Sequence, residues 1–407
     1  MRRRAVADAC DVREDHGAHH EDKERAVKDL GNVRDEIDAI DGRLVELFLK
    51  RLELASEVAA AKRESGAPVT DPSREREILS RVSEAAGPEF ENGARLLFTT
   101  LFSVSKARQR LLLKGQSSLV RAVRAAVSDG LKFPSRAIVA CCGTEGSYSQ
   151  QAVSLLFAAP TIAYFNDFEK VFEAVEKGLC PYGMLPIENS AAGSVAAVYD
   201  LMQKHRFHIA RAIRLKIDHV LLAPPGTKIE DIREIASHPH ALAQCKEFLR
   251  AHPAIAATAS SNTAVAAREA AASGRKDLAV IASRACAELY GLETVAENIQ
   301  DAPYNYTRFI CISKGMEIYP DASKFTVMMS LPHRPGALNA IISKFSAIDV
   351  NLTKLESRPV PGMDFEFRFI FDFEASPSDR QVLALLSELS SDPEIEHFEF
   401  LGAYAEK

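Results

Sequence analysis

What this chain lacks narrows its function before any motif is read. Lysine and arginine number 50 against 56 aspartates and glutamates, a formal net charge of −6, so the basic footprint of a nucleic-acid-binding surface is missing. No apolar run approaches the ~20 residues that a membrane-crossing helix needs. The seven cysteines (Cys10, Cys141, Cys142, Cys180, Cys245, Cys286 and Cys311) are odd in number, scattered, and without any Cys-x-x-Cys spacing. That argues against a disulfide framework or a zinc site and for reduced, buried thiols in a cytoplasm. Residues 1–25 carry Arg2-Arg3-Arg4 among many acids but no apolar h-region, which fits neither a secretory signal nor a transit peptide, and they read as a disordered leader. His16, His19 and His20 have no cysteine or carboxylate partners at ligand spacing, so no metal is expected there.

What is present is an ordinary soluble composition, 47% hydrophobic and 26% charged, on 407 residues, too many for one core. Two to four domains are expected. From about Val27 to Glu64, Val33, Ile37, Ile40, Leu44, Leu47, Leu54, Val58 and Ala61 recur at steps of three and four, with Arg51 filling the gap in the stripe. Such a helix is about 55 Å long and needs a partner helix, which a dimer supplies. Lys62 projects from nearly the same face as Arg51, and two cations along an apolar seam call for an anionic ligand. Gly66-Ala67-Pro68 ends this helix, and Asp71-Pro72-Ser73-Arg74-Glu75 opens the next with an Asp cap and a first-turn proline. A third, from about Phe90 to Lys114, carries Ser105 and Gln109 as an i, i+4 polar pair. On pattern alone this is a three-helix oligomerisation module.

Arg34, Arg51, Lys62, Asp71, Arg74, Glu75, Ser105 and Gln109 resemble, in order and helix context, the active-site pattern of the all-helical AroQ-type chorismate mutases over about residues 26–115. The resemblance implies chorismate as substrate. Its two carboxylates would meet Arg51 and an Arg34 reaching over from the partner subunit. Lys62 and Gln109 would donate to the breaking ether oxygen, Glu75 would hold the ring hydroxyl with help from Asp71, and Ser105 and Arg74 would support the site. An intramolecular rearrangement needs no nucleophile, only a compact conformer and charge stabilisation.

A basic amphipathic segment from Leu119 to Ser128, with Gly130 and Pro134 after it, reads as a linker over 116–135. Beyond it, short apolar strands alternate with helices, the pattern of an α/β domain with a largely parallel sheet. Ile138-Val139-Ala140-Cys141-Cys142 runs into Gly143-Thr144-Glu145-Gly146-Ser147-Tyr148-Ser149 and a helix, a place where free N–H groups can take an anion. Pro186-Ile187-Glu188-Asn189-Ser190 follows another strand, where open α/β sheets place ligands. Ser237-His238-Pro239-His240 opens a helix; a loop histidine beside proline is more often structural than catalytic. Ser260-Ser261-Asn262-Thr263 offers hydroxyls at a further helix start. Asn305-Tyr306-Thr307-Arg308-Phe309 sets a hydroxyl and a guanidinium before an apolar strand, a pair suited to elimination on a small acid.

These five stretches together resemble prephenate dehydratase over about 136–316. The resemblance implies two lobes related to periplasmic binding proteins, one about Arg136 to Ala212 plus the return through Thr307 and the other about Ile213 to Asn298, with prephenate in the cleft between them. Thr307 would donate the proton and Arg308 would orient a carboxylate. Gly146, Ser147, Glu188, Asn189, Ser190, Ser261, Thr263 and Asn305 would bind substrate. Ala191-Ala192 departs from relatives, which often carry a hydroxyl or charge there.

The remainder, 323–407, reads as a βαββαβ unit, with Phe365, Phe367, Phe369, Phe371 and Phe373 alternating so that one face is buried. It resembles an ACT domain, a small amino-acid-binding module. Arg334-Pro335-Gly336-Ala337-Leu338 and Leu355-Glu356-Ser357-Arg358-Pro359 match the family's phenylalanine-binding motifs, which implies Gly336, Ala337, Leu338, Asn339, Glu356, Ser357 and Arg358 as effector contacts; Asn339 stands where valine is common. The expected protein is multidomain: an all-α dimer module, a two-lobed α/β domain and an α+β ferredoxin-like regulatory domain. The resemblances imply a cytoplasmic homodimer or larger homo-oligomer that turns chorismate into prephenate and prephenate into phenylpyruvate without cofactor or metal, inhibited by phenylalanine. Arogenate as the second substrate, and an amino-acid-responsive binding protein without turnover, stay open.

Overall fold

The computed structural model describes residues 30–127, 132–360 and 366–407. The leader with its histidines, Cys10, Gly130 and Phe365 lie outside the described residues. The chain falls into two compact units, one ending at Val58 and the other running from Ala59 to Lys407. In the first, helix α1 (Leu30–Ser65) carries the expected stripe, and its members Ile37, Ile40, Leu44, Leu47, Leu54 and Val58 are exposed.

In the second unit α1 stops where Gly66 takes φ +70°, its N–H closing on the Lys62 carbonyl at 2.9 Å. Helix α2 (Pro72–Lys114) starts on the predicted cap, Asp71 accepting from the Arg74 N–H at 3.0 Å. It is broken at Gly87, where φ is +71° and Pro88 follows, so the two later helices of the sequence reading are its two arms. The arms fold back on each other. Lys106 lies 3.1 Å from the Glu75 carboxylate, 31 residues earlier, a separation that a straight helix would stretch to about 47 Å.

The expected linker is not one. Residues Ser118–Ala126 form helix α3, whose Val120 and Val123 are buried beside Phe325 and Leu386 of the C-terminal domain. An amphipathic turn with two valines on one face needs a core, and this one takes its neighbour's.

The first lobe is built from β1 (Ile138–Cys142), α4 (Tyr148–Leu156), β2 (Thr161–Phe165), α5 (Phe168–Glu176), β3 (Tyr182–Asn189), the short β4 (Gly193–Ser194), α6 (Ala196–His205) and β5 (His208–Lys216). The second holds β6 (Val220–Ala223), β7 (Glu234–Ser237), α7 (Pro239–Ala243), α8 (Lys246–Ala251), β8 (Ala256–Ala259), α9 (Thr263–Ser273), β9 (Leu278–Ala282), α10 (Ala285–Tyr290) and β10 (Glu293–Ala296). Strand β11 (Tyr306–Ser313) returns to the first lobe. The outward crossing comes after Lys216, a few residues beyond the expected Ala212, because β5 pairs with β11 along its whole length. Both sheets are mixed rather than largely parallel. β1 runs parallel to β2 and β3, but β11, coming back from the other lobe, is antiparallel to β3 and β5. In the second lobe β7 is parallel to β8 and β9, while β6 is antiparallel to β9 and β10.

The C-terminal domain has the expected βαββαβ order: β12 (Lys324–Ser330), α11 (Ala337–Ser346), β13 (Leu352–Pro359), β14 (Phe367–Glu374), α12 (Arg380–Ser391) and β15 (Glu396–Glu406). Its sheet does not end there. β15 pairs in parallel with β5, so one sheet runs β13-β14-β12-β15-β5-β11-β3-β1-β2. This corrects the expectation of one buried face on β14. Phe371 and Phe373 pack with Phe325 and Phe345, but Ile370 on the opposite face is also fully buried, sharing a core with Val171, Tyr199 and Met202 of the first lobe.

The seam between the two domains depends on Gly402. A Cβ there would sit 2.5 Å from the Ile209 carbonyl oxygen, closer than any real side chain comes, on a backbone with φ +156°. Gly402→Ala should therefore destabilise the second unit by about 1–3 kcal/mol, the usual cost of overpacking a close contact. The midpoint of urea unfolding, followed by far-UV circular dichroism, checks this.

Candidate active sites

The helical site is assembled from short-range geometry first. In the second unit the Lys62 ammonium donates to the Val69 carbonyl at 2.7 Å, and its other two N–H groups have no hydrogen-bond acceptor among the described residues. Glu75 is held by Lys106. Ser105 and Gln109 face inward on the second arm of α2, both buried. Ser105 donates back to the Leu101 carbonyl at 2.8 Å. The Gln109 amide oxygen is buried with no hydrogen-bond partner among the described residues, a costly state that a bound polar ligand can relieve. Asp71 is committed as a helix cap, and Arg74 is exposed and paired with Glu77 at 2.7 Å; of the expected site residues these two have the plainest structural roles. In the first unit Arg34 is exposed, and Arg51 is half-buried, its guanidinium pushed below its ordinary value by burial.

In the two-lobed domain, Asn189 at the end of β3 pairs in register with Thr307 on β11. Its amide nitrogen donates to the Thr307 hydroxyl at 3.0 Å and to the Asn305 side-chain oxygen at 2.7 Å. Its amide oxygen accepts from the N–H groups of Ala191 and Ala192 at 3.0 and 2.9 Å. Thr307 thus accepts one hydrogen bond, and its own proton has no acceptor among the described residues, which is the state a proton donor requires. Ser190 staples the approach to β11: its hydroxyl takes the Tyr306 N–H at 2.9 Å and donates to the Tyr304 carbonyl at 3.2 Å.

A cavity of about 260 Å³ opens beside this group, lined by Ala191, Ala192, His240, Gln244, Gln300 and Asn305 among others. Gln244 and His219 escaped the sequence reading. The buried His219 ring holds the Gln244 side-chain oxygen at 2.9 Å, and the Gln244 amide nitrogen reaches the Asn189 oxygen at 3.5 Å. Burial depresses the His219 pKa, so the ring is a neutral brace. No local pattern marks Gln244; it enters through the α7 turn, whose His238 serves as the cap, accepting from the His240 N–H at 3.2 Å. That is the structural role expected of a loop histidine beside proline.

The Gly143–Ser147 turn meets the second lobe at Asn262, whose amide nitrogen lies 3.1 Å from where a Gly143 Cβ would be. Ser147 caps α4 and Asn262 caps α9, so two helix N-termini stand near each other. Gly146, at φ +86°, touches Cys286 so closely that a Cβ would lie 2.9 Å from its sulfur, and its carbonyl accepts from Ser283 at 3.0 Å. Ser261 is exposed and Thr263 half-buried at the start of α9. No hydrogen bond joins Ser261 or Thr263 to the Asn189–Thr307 pair among the described residues.

Two expected cleft residues face the other way. Strand alternation sends Glu188 and Arg308 to the side opposite Asn189 and Thr307. The buried Arg308 guanidinium lies 2.5 Å from Asp372 and 2.8 Å from Glu406, and it also donates to the Tyr404 hydroxyl, all in the C-terminal domain. Burial alone would lower its pKa; the fields of Tyr404, Asp372 and Glu406 hold it above the ordinary value. As a ligand for a substrate carboxylate it would first have to leave two anions, so the structure removes it from that role. Glu188 lies 3.2 Å from Lys354 on β13 and 3.7 Å from Arg308.

Of the expected effector residues, Gly336 (φ +82°) caps α11 and is exposed along with Asn339, while Ala337 and Leu338 are half-buried. Glu356 and Arg358 alternate onto the face of β13 that meets the first lobe: Glu356 accepts from Ser194 at 2.5 Å, and Arg358 donates to the Ala196 carbonyl at 3.0 Å. Ser357 points outward and is exposed.

The comparisons with known proteins match both regions of the chain. The model of the chorismate mutase type II family matches residues 33–110, and that of the prephenate dehydratase family matches 139–317. The chain is 30% identical over 366 residues to the bifunctional chorismate mutase/prephenate dehydratase of Escherichia coli (strain K12), covering 88% of this chain and 92% of that protein. It is 38% identical over 265 residues to arogenate dehydratase/prephenate dehydratase 2, chloroplastic, of Arabidopsis thaliana, covering 62% of this chain and 69% of that one. The prephenate dehydratase of Arthrobacter aurescens, solved in complex with L-Phe, is similar with a TM-score of 0.59 and 31% identity, over 66% of this chain and 90% of that chain. Fold and sites define an enzyme that joins an isomerase to a lyase. The chain belongs to the bifunctional chorismate mutase/prephenate dehydratases.

Asn189→Ala removes the donor that fixes the Thr307 hydroxyl. It should lower kcat for prephenate about 10²-fold, the usual effect of losing one preorganised donor, with mutase activity intact. Steady-state assays of both reactions on one preparation check this.

Proposed function

We propose that the chain converts chorismate to prephenate in its helical module and prephenate to phenylpyruvate in its two-lobed domain. Lys62 and Gln109 serve the first reaction, donating to the ether oxygen as it takes up charge, while Arg51 and a partner subunit's guanidinium hold the carboxylates. Thr307 serves the second. Electrons of the bond to the departing carboxylate enter the ring as carbon dioxide leaves, and the ring hydroxyl departs as water after taking a proton through Thr307. Aromatisation drives this step, so the site has only to place the substrate and supply that proton. The observation that carries the reading is the Asn189–Thr307 pair, which leaves the threonine proton free to be donated.

The exposed stripe on α1 supports a homodimer as the working unit, since each such side chain gains about 1.5–3 kcal/mol on burial and a second copy offers a matching stripe. Phenylalanine as effector is supported by the exposed α11 start at Gly336 and by the L-Phe complex of the Arthrobacter aurescens relative. The thiols described, Cys141 to Cys311, are free and mostly buried, in keeping with a cytoplasmic protein.

Chorismate supplied alone should yield phenylpyruvate, with less formed when phenylalanine is added. Lys62→Ala should stop consumption of chorismate while sparing added prephenate, and Thr307→Ala should let prephenate accumulate. Wild-type chain that accumulates prephenate, yet turns over arogenate, would move the second reaction to that substrate. Chorismate left unchanged by the wild-type chain would overturn the mutase assignment.

A further inference from the structure

We propose that Lys354, which lies in the C-terminal domain and outside both catalytic modules, is a positioning residue for the dehydration step and acts through Glu188. Alternation along β13 puts Lys354, Glu356 and Arg358 on the face that meets the first lobe. The Lys354 side chain is 10% exposed, and its ammonium has a full set of partners. It donates to the Ser194 hydroxyl at 2.7 Å, and it lies 3.2 Å from Glu188 and 3.1 Å from Glu356, above the ring of Tyr199.

What those partners hold gives the lysine its role. Glu188 pairs with Ser194 and Asn189 with Gly193 across the short β3–β4 hairpin. The residues between, Ala191 and Ala192, supply the N–H groups that fix the Asn189 amide oxygen, and they line the cavity. The other end of that amide holds Thr307. Lys354 therefore clamps both strands of the hairpin from behind, at Glu188 and at Ser194, and so sets the orientation of the amide that presents the proton donor. A displacement near 1 Å at such a group can cost about 10²-fold in rate. Without the lysine, the one cation left beside Glu188 among the described residues is Arg308 at 3.7 Å, already committed to Asp372 and Glu406.

The simpler alternative is that Lys354 only fastens one domain to another. Kinetics separates the two. Lys354→Met should lower kcat for prephenate about tenfold while KM stays within about twofold, because the amide is misplaced and the substrate pocket is not removed. The chorismate mutase rate of the same chain should be unchanged, which controls for folding. In a Glu188→Gln background the added loss from Lys354→Met should shrink to about twofold or less, as residues acting through one contact are non-additive. Lys354→Arg, which keeps the charge, should recover most of the wild-type kcat. The proposal is overturned by an unchanged kcat in Lys354→Met, by a parallel fall in mutase rate, by equal losses with and without Glu188, or by an arginine variant as slow as the methionine one. It rests on the dehydratase reading, which wild-type turnover of prephenate tests separately in the same assay.

Discussion

A guanidinium buried against a sheet needs compensating charge, and the junction of this molecule is arranged around that need at Arg308. An isolated ion in such a place costs several kcal/mol even after relaxation. Here Asp372 and Glu406 supply two anions, Lys324 pairs with Glu406 as a second cation, and the hydroxyls of Thr326 and Tyr404 close the group, Thr326 donating to Asp372 at 2.7 Å. Glu188, 3.7 Å from Arg308, and Arg214, 3.4 Å from Glu406, extend the group by one anion and one cation. Arg308, Arg214 and Glu188 come from the two-lobed domain, whereas the two carboxylates nearest the Arg308 guanidinium, Asp372 and Glu406, belong to the C-terminal one. Separating the domains would strand the carboxylates on one side and the guanidinium on the other. The same strand carries Thr307 one residue earlier, so the ion cluster also fixes the backbone that presents the hydroxyl.

That adjacency explains where sequence reasoning about the cleft went astray. Thr307-Arg308 and Glu188-Asn189 each read as two ligands for one substrate, and each lies on a strand, where neighbouring side chains point to opposite faces. Register then assigns partners: Asn189 opposite Thr307, Glu188 opposite Arg308. One pair faces Asn305 and Gln244 and the other faces the C-terminal domain. The motif is conspicuous as a unit because it serves two surfaces at once. Period two was legible in the residues; what each face would meet was not, because the second face is covered by a domain that begins at Lys324.

Elsewhere, local chemistry was readable and long-range pairing was not. The Asp71 cap, the Gly66 stop and the starts of α4 and α9 follow from residue types whose backbone preferences act within a turn. The βαββαβ order likewise follows from period and spacing. The continuity of β15 with β5 has no local signature except Gly402, which looks like any other glycine until Ile209 is set against it. Helix α3 was legible as amphipathic, and its valines find their core some 200 residues further along the chain, beside Phe325. Gln244 is silent in sequence, and it matters because the second lobe sets it against Asn189 of the first.

The C-terminal domain also touches the helical module, by contacts of another kind. Arg110 on α2 pairs with Asp392 at 2.9 Å, both side chains nearly buried. Beside it Lys106 sits between Glu75 at 3.1 Å and Glu394 at 3.9 Å, and Glu394 pairs with Arg334 at 2.5 Å. Arg334 and Glu394 are well exposed, and a pair of that kind is worth about 0–1 kcal/mol, so its partners can be exchanged with little loss. The Arg308 cluster has no such freedom, since breaking a buried pair costs about 3–5 kcal/mol. The C-terminal domain therefore meets α2 through one nearly buried pair, Arg110–Asp392, beside more exposed charges, and meets the two-lobed domain through the buried Arg308 cluster.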